Sequence, residues 1–245
     1  QGDGRKGRVF KLDRVHERFD GRTYDSLDER DRYNLNNAVI HATVVKQDGP
    51  PEDDTSMYQI FRRLNTGGRP LYPQEIRCAI YQGVLIEAIK PLNEYGEWRL
   101  IAGKPNDRLK DQELILRFMA MLDRGNQYKG PMSNFLNVFT QEFRHEGDPW
   151  QSNMAERFKQ TIDVFAATLG KAAFQLKKGR ALNAAMFDSM TVGVARRLSV
   201  VSEINLAKIP QIHAELLIDT DYVESVSQST SNEVSVCRHS ANMGQ

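Results

Sequence analysis

Lys110-Asp111-Gln112-Glu113-Leu114-Ile115-Leu116-Arg117-Phe118-Met119-Ala120-Met121-Leu122 is the stretch that decides the fold. Leu114, Ile115, Phe118, Met119 and Leu122 recur at three- and four-residue spacing, so over Asp111–Leu122 they form one apolar side of a strong amphipathic helix. Glu113 lies four residues before Arg117, an orientation that favours a surface ion pair worth roughly 0.2–0.5 kcal/mol. Gly125 and Asn126 stop the helix. Toward the C-terminus the same period returns. Pro131 opens a helix through Phe135, Leu136, Phe139 and Phe143, and Ser152 is placed to cap one through Met154, Phe158, Ile162, Phe165 and Leu169 that Gly170 closes. Asn183 is placed to cap another through Met186, Phe187, Met190, Val194 and Leu198, with Asp188 helping to fix its start. Shorter helices are expected near Ile209–Leu217, Tyr222–Val226 and Asn232–Cys237, while Ser229-Thr230-Ser231 before Asn232 reads as a cap.

Toward the N-terminus, Leu92–Lys110 reads mostly as loop. Before it, one helix starting at Pro73 carries Ile76, Ile80, Val84 and Ile89 and ends near Pro91. Met57, Ile60, Phe61 and Leu64 mark a further helix, capped by Thr55 or Ser56 and stopped by Asn65-Thr66-Gly67-Gly68. Ahead of an exposed loop over Asp48–Asp54 the pattern changes. Val9–Leu12 and Val39–Val45 alternate as strands, and Asp20-Gly21 reads as a turn. The expected class is α+β, mostly α: a partial α/β module over residues 1–72 and a larger helical domain over 73–245. Two strands alone are marginal, so either further N-terminal sequence completes the sheet or the helical body covers it.

Lys+Arg number 33 and Asp+Glu 32, a net charge of +1 that argues against a protein coating a polyanion, although not against a local basic patch. No apolar run is long enough for a membrane span, and the polar, basic first ten residues contain no signal-peptide core. Gln1 is not an initiator Met, so the chain is expected to begin inside a longer product. Cys78 and Cys237 have no CxxC partner; a reducing, cytoplasmic compartment is the expectation, without a structural zinc site.

The segment richest in chemistry is Phe61-Arg62-Arg63-Leu64-Asn65-Thr66-Gly67-Gly68, followed by Arg69, Glu75 and Arg77. It gathers arginines around a glycine turn where backbone N–H groups and forked guanidiniums can meet an oxyanion. The competing reading is a helix C-cap with solvated arginines, one of them paired to Glu75. The Gly-Lys-Ser/Thr of a Walker loop is missing.

This block, with Leu71, Gln74, Glu75 and Arg77 behind it, resembles the Phe-x-x-x-Asn region of the GmrSD restriction endonuclease N-terminal domain family. Phe19-Asp20-Gly21-Arg22-Thr23-Tyr24, Arg108-Leu109-Lys110-Asp111-Gln112-Glu113-Leu114, Phe135-Leu136-Asn137 and Asn183 with Phe187-Asp188 follow the same order, so the similarity runs over nearly the whole chain. The resemblance implies a ParB/sulfiredoxin-like module followed by helices, a nucleotide-binding and hydrolysing role in restriction of modified foreign DNA, a nucleoside triphosphate with Mg, and an HNH-type nuclease domain or subunit as partner. On that basis Phe61, Arg63, Asn65, Gly67, Gly68, Glu75 and Arg77 are the phosphate-binding candidates. The family's Asp-Gly-Gln-Gln-Arg motif is not found: Asp3-Gly4 lacks the rest, and the five histidines show no HNH spacing. The alternative function is a non-enzymatic helical module that binds DNA or recruits a nuclease.

The remaining candidates have simpler structural readings. Asp53-Asp54 suits helix capping or a magnesium ion, and Asp111, Glu113 and Arg117 suit a surface pair or a site between modules. His145 and His213 read as ordinary surface or half-buried histidines, and Trp98 and Trp150 as packing anchors.

Overall fold

A computed structural model describes residues 10–13, 15–39, 55–64, 70–177, 179–201 and 204–227. The chain divides into two compact units, 1–48 and 49–245, so the division falls after Asp48 rather than after Tyr72. The Phe61 helix goes with the helical unit because it packs on the helix that begins at Pro73.

In the first unit, α1 (Glu29–Asn36) is capped by Asp28, whose carboxylate accepts from the Asp31 N–H at 2.8 Å. Arg18 donates to Asp28 at 3.0 Å and to Asp31, fastening the preceding loop to this helix start. Two backbone bonds of 2.8 Å, Leu12 N–H to the Arg22 carbonyl and Gly21 N–H to the Leu12 carbonyl, close that loop, with Gly21 at φ +72° supplying the turn. No strand is present among the described residues, and this corrects the α/β expectation. Phe10–Leu12 gains only the two bonds just named, and Phe10 stays 78% exposed, so alternation alone does not make a strand without a partner and a face to bury. Ile40–Val45 and Val9 lie outside the described residues.

The second unit contains α2 (Thr55–Leu64), α3 (Pro73–Ile80), α4 (Val84–Asn93), α5 (Gly96–Ala102), α6 (Lys110–Arg124), α7 (Met132–Glu142), α8 (Trp150–Thr168), α9 (Ala184–Leu198), α10 (Lys208–Ile218) and α11 (Thr220–Ser227). α6 runs through the middle. Beyond the predicted stripe it also buries Leu116, Arg117 and Ala120, because α9, α4, α7 and α8 all pack on it. Edge-to-face aromatic contacts link the surrounding helices: Trp98 to Phe158 at 5.8 Å, Phe118 to Phe158 at 5.4 Å, and Phe174 to Phe187 at 5.0 Å.

Two boundaries differ from the expectation. The single helix foreseen over 73–91 is broken at Tyr81–Gly83, where a Cβ on Gly83 would lie 2.4 Å from the Arg144 carbonyl oxygen. That close approach docks the α3–α4 corner on the end of α7, and Arg144 Nε donates back to the Gln82 carbonyl at 2.7 Å. The loop foreseen over 92–110 contains α5, whose Trp98 is wholly buried and donates to Asn93 Oδ1 at 3.1 Å. Other signals hold: Pro73 is the first residue of α3, and Asn183 caps α9 by accepting from the Met186 N–H at 2.9 Å. α8 starts at Trp150, two residues before Ser152, and Ser152 bonds Asp148 instead of capping it. No helix among the described residues is long and apolar enough to cross a membrane.

Candidate functional site

Of the residues singled out around Phe61–Arg77, Asn65, Gly67 and Gly68 lie outside the described residues, as does the side chain of Phe61. Arg63 is exposed on α2. Glu75 works at the start of α3: one carboxylate oxygen accepts from the Tyr72 N–H at 2.6 Å and from Arg108 Nε at 3.0 Å. It is therefore a cap and an ion-pair partner, with Arg108 as the paired arginine.

Arg77 is fully buried. Its Nε donates to Asn137 Oδ1 at 2.8 Å, and one terminal nitrogen donates to Gln74 Oε1 at 2.8 Å and Glu113 Oε2 at 2.9 Å. The other reaches the Ser133 carbonyl at 3.4 Å. This corrects the phosphate-ligand role foreseen for Arg77: with its donors spent on α3, α6 and α7, it is a tie between helices. Glu113 pairs with Arg77 and not with Arg117 along its own helix. Arg117 crosses instead to Asp188 of α9, with Nε 3.0 and 3.1 Å from the two carboxylate oxygens and a further bond from its terminal nitrogen. Burial pushes the Asp188 carboxyl up from its ordinary range against the pull of Arg117. Asp111 is likewise buried and accepts from Arg99 at 2.9 Å and from the Asn106 N–H at 3.1 Å.

Glu113 and Arg117, one member of each of two of these pairs, line a cleft of about 220 Å³ where α3, α6 and α9 begin, together with Tyr72, Gln74, Arg108, Lys110, Leu182 and Ala184. Arg108 lies 4.1 Å and the Lys110 ammonium 4.6 Å from the Tyr72 ring centre, so both cations meet the same ring. Arg108 also donates to the Pro70 carbonyl, which joins the cleft to the chain leaving the Phe61–Gly68 block. Between the two cations, Leu109 has φ +56°, the one positive φ of a non-glycine residue among those described. A left-handed leucine costs about 1–2 kcal/mol, and such outliers cluster where side-chain direction matters. Here it caps α6 and brings Arg108 and Lys110 to the same ring.

Four cations (Arg77, Arg108, Lys110, Arg117) stand against three carboxylates (Glu75, Glu113, Asp188) in and behind this cleft, which leaves one positive charge; Lys110 makes no ion pair among the described residues. The starts of α3, α6 and α9 add partial positive charge of about half a unit each. The cleft, about 220 Å³, has room for a phosphate group. In the sequence, Arg108 and Lys110 stand only as members of the Arg108–Leu114 block, with no role of their own. The available signal was Tyr72 beside Pro73, an aromatic at a helix start facing a basic pair.

Among the described residues no three His, Cys, Asp or Glu side chains stand together as a metal site, and Asp53-Asp54 lies outside them. His145 is exposed and His213 buried. Comparison with family models, curated proteins and solved structures finds no match.

Proposed function

We propose that the chain is a nucleotide-binding module of a bacterial restriction or anti-phage defence protein acting on modified foreign DNA, and that the nucleotide's phosphates occupy the cleft at the starts of α3, α6 and α9. The observation that carries this reading is the pair Arg108 and Lys110 held over Tyr72 by a left-handed Leu109, next to the chain leaving the Phe61–Gly68 block. Lys110, which makes no ion pair among the described residues, supplies positive charge, and Arg108, already bonded to Glu75 and to the Pro70 carbonyl, adds to the local field. Hydrolysis with Mg, and cooperation with an HNH-type nuclease, belong to the same proposal; the chemical step is assigned to the family's Asp-Gly-Gln-Gln-Arg motif, which this sequence does not contain.

The test is calorimetric titration of ATP and GTP with Mg into the chain and into Lys110→Gln and Asn65→Ala variants. Binding that falls about tenfold in Lys110→Gln supports the cleft, in line with loss of one charge-assisted contact. Equal affinity in all three proteins rejects it.

A second reading is favoured by the internal use of Glu75 and Arg77, two of the residues the resemblance assigned to phosphate. In that reading the helical unit recruits a nuclease or binds DNA without a nucleotide. Salt-dependent DNA binding that ATP leaves unchanged selects it.

A further inference from the structure

The one residue that α10 buries is His213, 7% exposed, whereas α6, α8 and α9 bury rows of Leu, Ile, Phe, Met and Val. Ile212 and Ile218 of the same helix stay exposed. Between α10 and the α8–α9 pair lies a cleft of about 430 Å³ floored by Phe165, Met190 and Val194, so α10 spans the cleft rather than filling it. The main packing partner of α10 is α11, and α11 is tied down separately. Val226 is buried and its carbonyl accepts from Asn183 Nδ2 at 2.8 Å, while the Tyr222 hydroxyl lies 3.0 Å from Ser189 Oγ. The two helices meet at Asp219, whose carboxylate accepts from the Tyr222 N–H at 2.9 Å and so starts α11. α10 is thus joined at one end to an anchored helix and held along its length by one imidazole.

The chemistry of that imidazole sets how α10 is held. The ring bonds the Ala173 backbone, and its Nε2 is closed off from water with no hydrogen-bond partner among the described residues. Burial holds its pKa below the ordinary value of 6.5 against the opposing effect of the Ala173 bond, so the docked ring is neutral at pH 7. No charged side chain bears on it. Arg197 of α9 and Lys208 of α10 line the cleft, and both are cations. Glu215 of α10, Asp221 and Glu224 of α11 and Lys171 near Ala173 are exposed, and Asp163 of α8 is bonded to Tyr95. A proton on Nε2 therefore meets neither an acceptor nor a counter-charge, which is costly at a buried position. With α10 lifted, the same ring is hydrated and takes up the proton in the ordinary range.

We propose that α10 is a pH-sensitive strap, lying over the α8–α9 cleft while His213 is neutral and lifting away about the Asp219 junction when His213 takes up a proton, which uncovers Phe165, Met190 and Val194. The sign follows from where the proton binds better. Above pH 6.5 the ring is neutral in both states and docking is level with pH; below it the lifted state takes up the proton first and docking weakens. For one proton the balance between docked and lifted α10 shifts by up to about tenfold between about pH 7.5 and about pH 5.5. The strap is separate from the cleft at Lys110 and does not depend on the nucleotide reading.

Native-state hydrogen exchange of the full chain tests it, followed by mass spectrometry at about pH 7.5 and about pH 5.5 and corrected for the intrinsic pH dependence of amide exchange. Amides of α10 are expected to be less protected than those of α6 at both pH values, because α10 opens without the rest of the helical unit. Their protection is expected to fall several-fold, up to about tenfold, at the lower pH. His213→Gln, which keeps a polar side chain, and His213→Phe, which keeps an aromatic one, are expected to abolish that fall, with circular dichroism at both pH values confirming the fold. Unchanged α10 protection in the wild type overturns the proposal. So does a fall that either folded variant retains, or α10 exchange as slow as that of α6 at both pH values, which means that α10 opens only with the whole unit.

Discussion

Replacing Asp188 by Ala isolates the buried charge pair at the centre of the helical unit. Asp188 and Arg117 are 3% and 5% exposed, and they join α6 to α9 through a multiply bonded carboxylate–guanidinium contact. Burial opposes charging the carboxyl, and the neighbouring guanidinium compensates. Removing the carboxylate leaves buried Arg117 without its bonded partner, with only the more distant Glu113 nearby, a change that costs about 3–5 kcal/mol in comparable buried pairs. For a domain of this size a destabilisation of 1 kcal/mol lowers Tm by about 2–4 °C, so the expected loss is roughly 6–20 °C. Thermal and urea unfolding of wild type, Asp188→Ala and the double variant Asp188→Leu/Arg117→Met measure it. The double variant is expected to recover most of the loss, because two apolar side chains of similar volume remove the desolvation problem together. A single variant within about 1 kcal/mol of wild type would refute the reasoning, since that is the range of an exposed ion pair.

Arg77→Met is expected to lower stability by about 3 kcal/mol in urea unfolding, the lower end for a buried pair because Glu113 keeps some exposure, while leaving ATP affinity within twofold at low temperature. Gly83→Ala should cost about 1–3 kcal/mol in the same assay, since its Cβ meets the backbone oxygen of Arg144. His213 gives the chain a pH dependence whose sign follows from its lowered pKa: above the ordinary value of 6.5 the ring is neutral folded or unfolded, and below it the unfolded chain takes up the proton first. Stability is therefore level above that pH and falls as the pH drops below it, by at most about 1.4 kcal/mol per pH unit. Urea midpoints at about pH 7.5 and about pH 5.5 for wild type and His213→Phe read out the difference, which the variant should lose.

The parts of the fold visible in the sequence are those fixed by local chemistry. Leu114, Ile115, Phe118 and Met119 announce α6 by spacing, Pro73 and Asn183 announce helix starts by the hydrogen bonds they lack or supply, and Trp98 announces a core anchor by its size. What stayed hidden depends on partners distant in sequence. Glu113 and Arg117 look like each other's partners at i and i+4, yet both turn inward, to Arg77 and Asp188, because α6 is covered on nearly all sides. Phe10–Leu12 looks like part of a strand, but alternation over four residues says nothing about whether a neighbour exists to pair with. α5 is masked in the sequence by the Gly96 that opens it and the Gly103 and Pro105 that follow, and its seven residues are too few to show a period. Around the glycine turn the arginines part ways: Arg77 is consumed by packing, whereas Arg108, some thirty residues on, lines the cleft.

The central claim is that phosphates are held where α3, α6 and α9 begin. An amide NMR titration of the full chain with ATP and Mg tests it most directly. Saturable shifts are expected at Gln74, Lys110, Asp111 and Ala184, lost in Lys110→Gln; no shifts, or shifts confined to other helices and unchanged by that substitution, would mean that phosphate does not bind there.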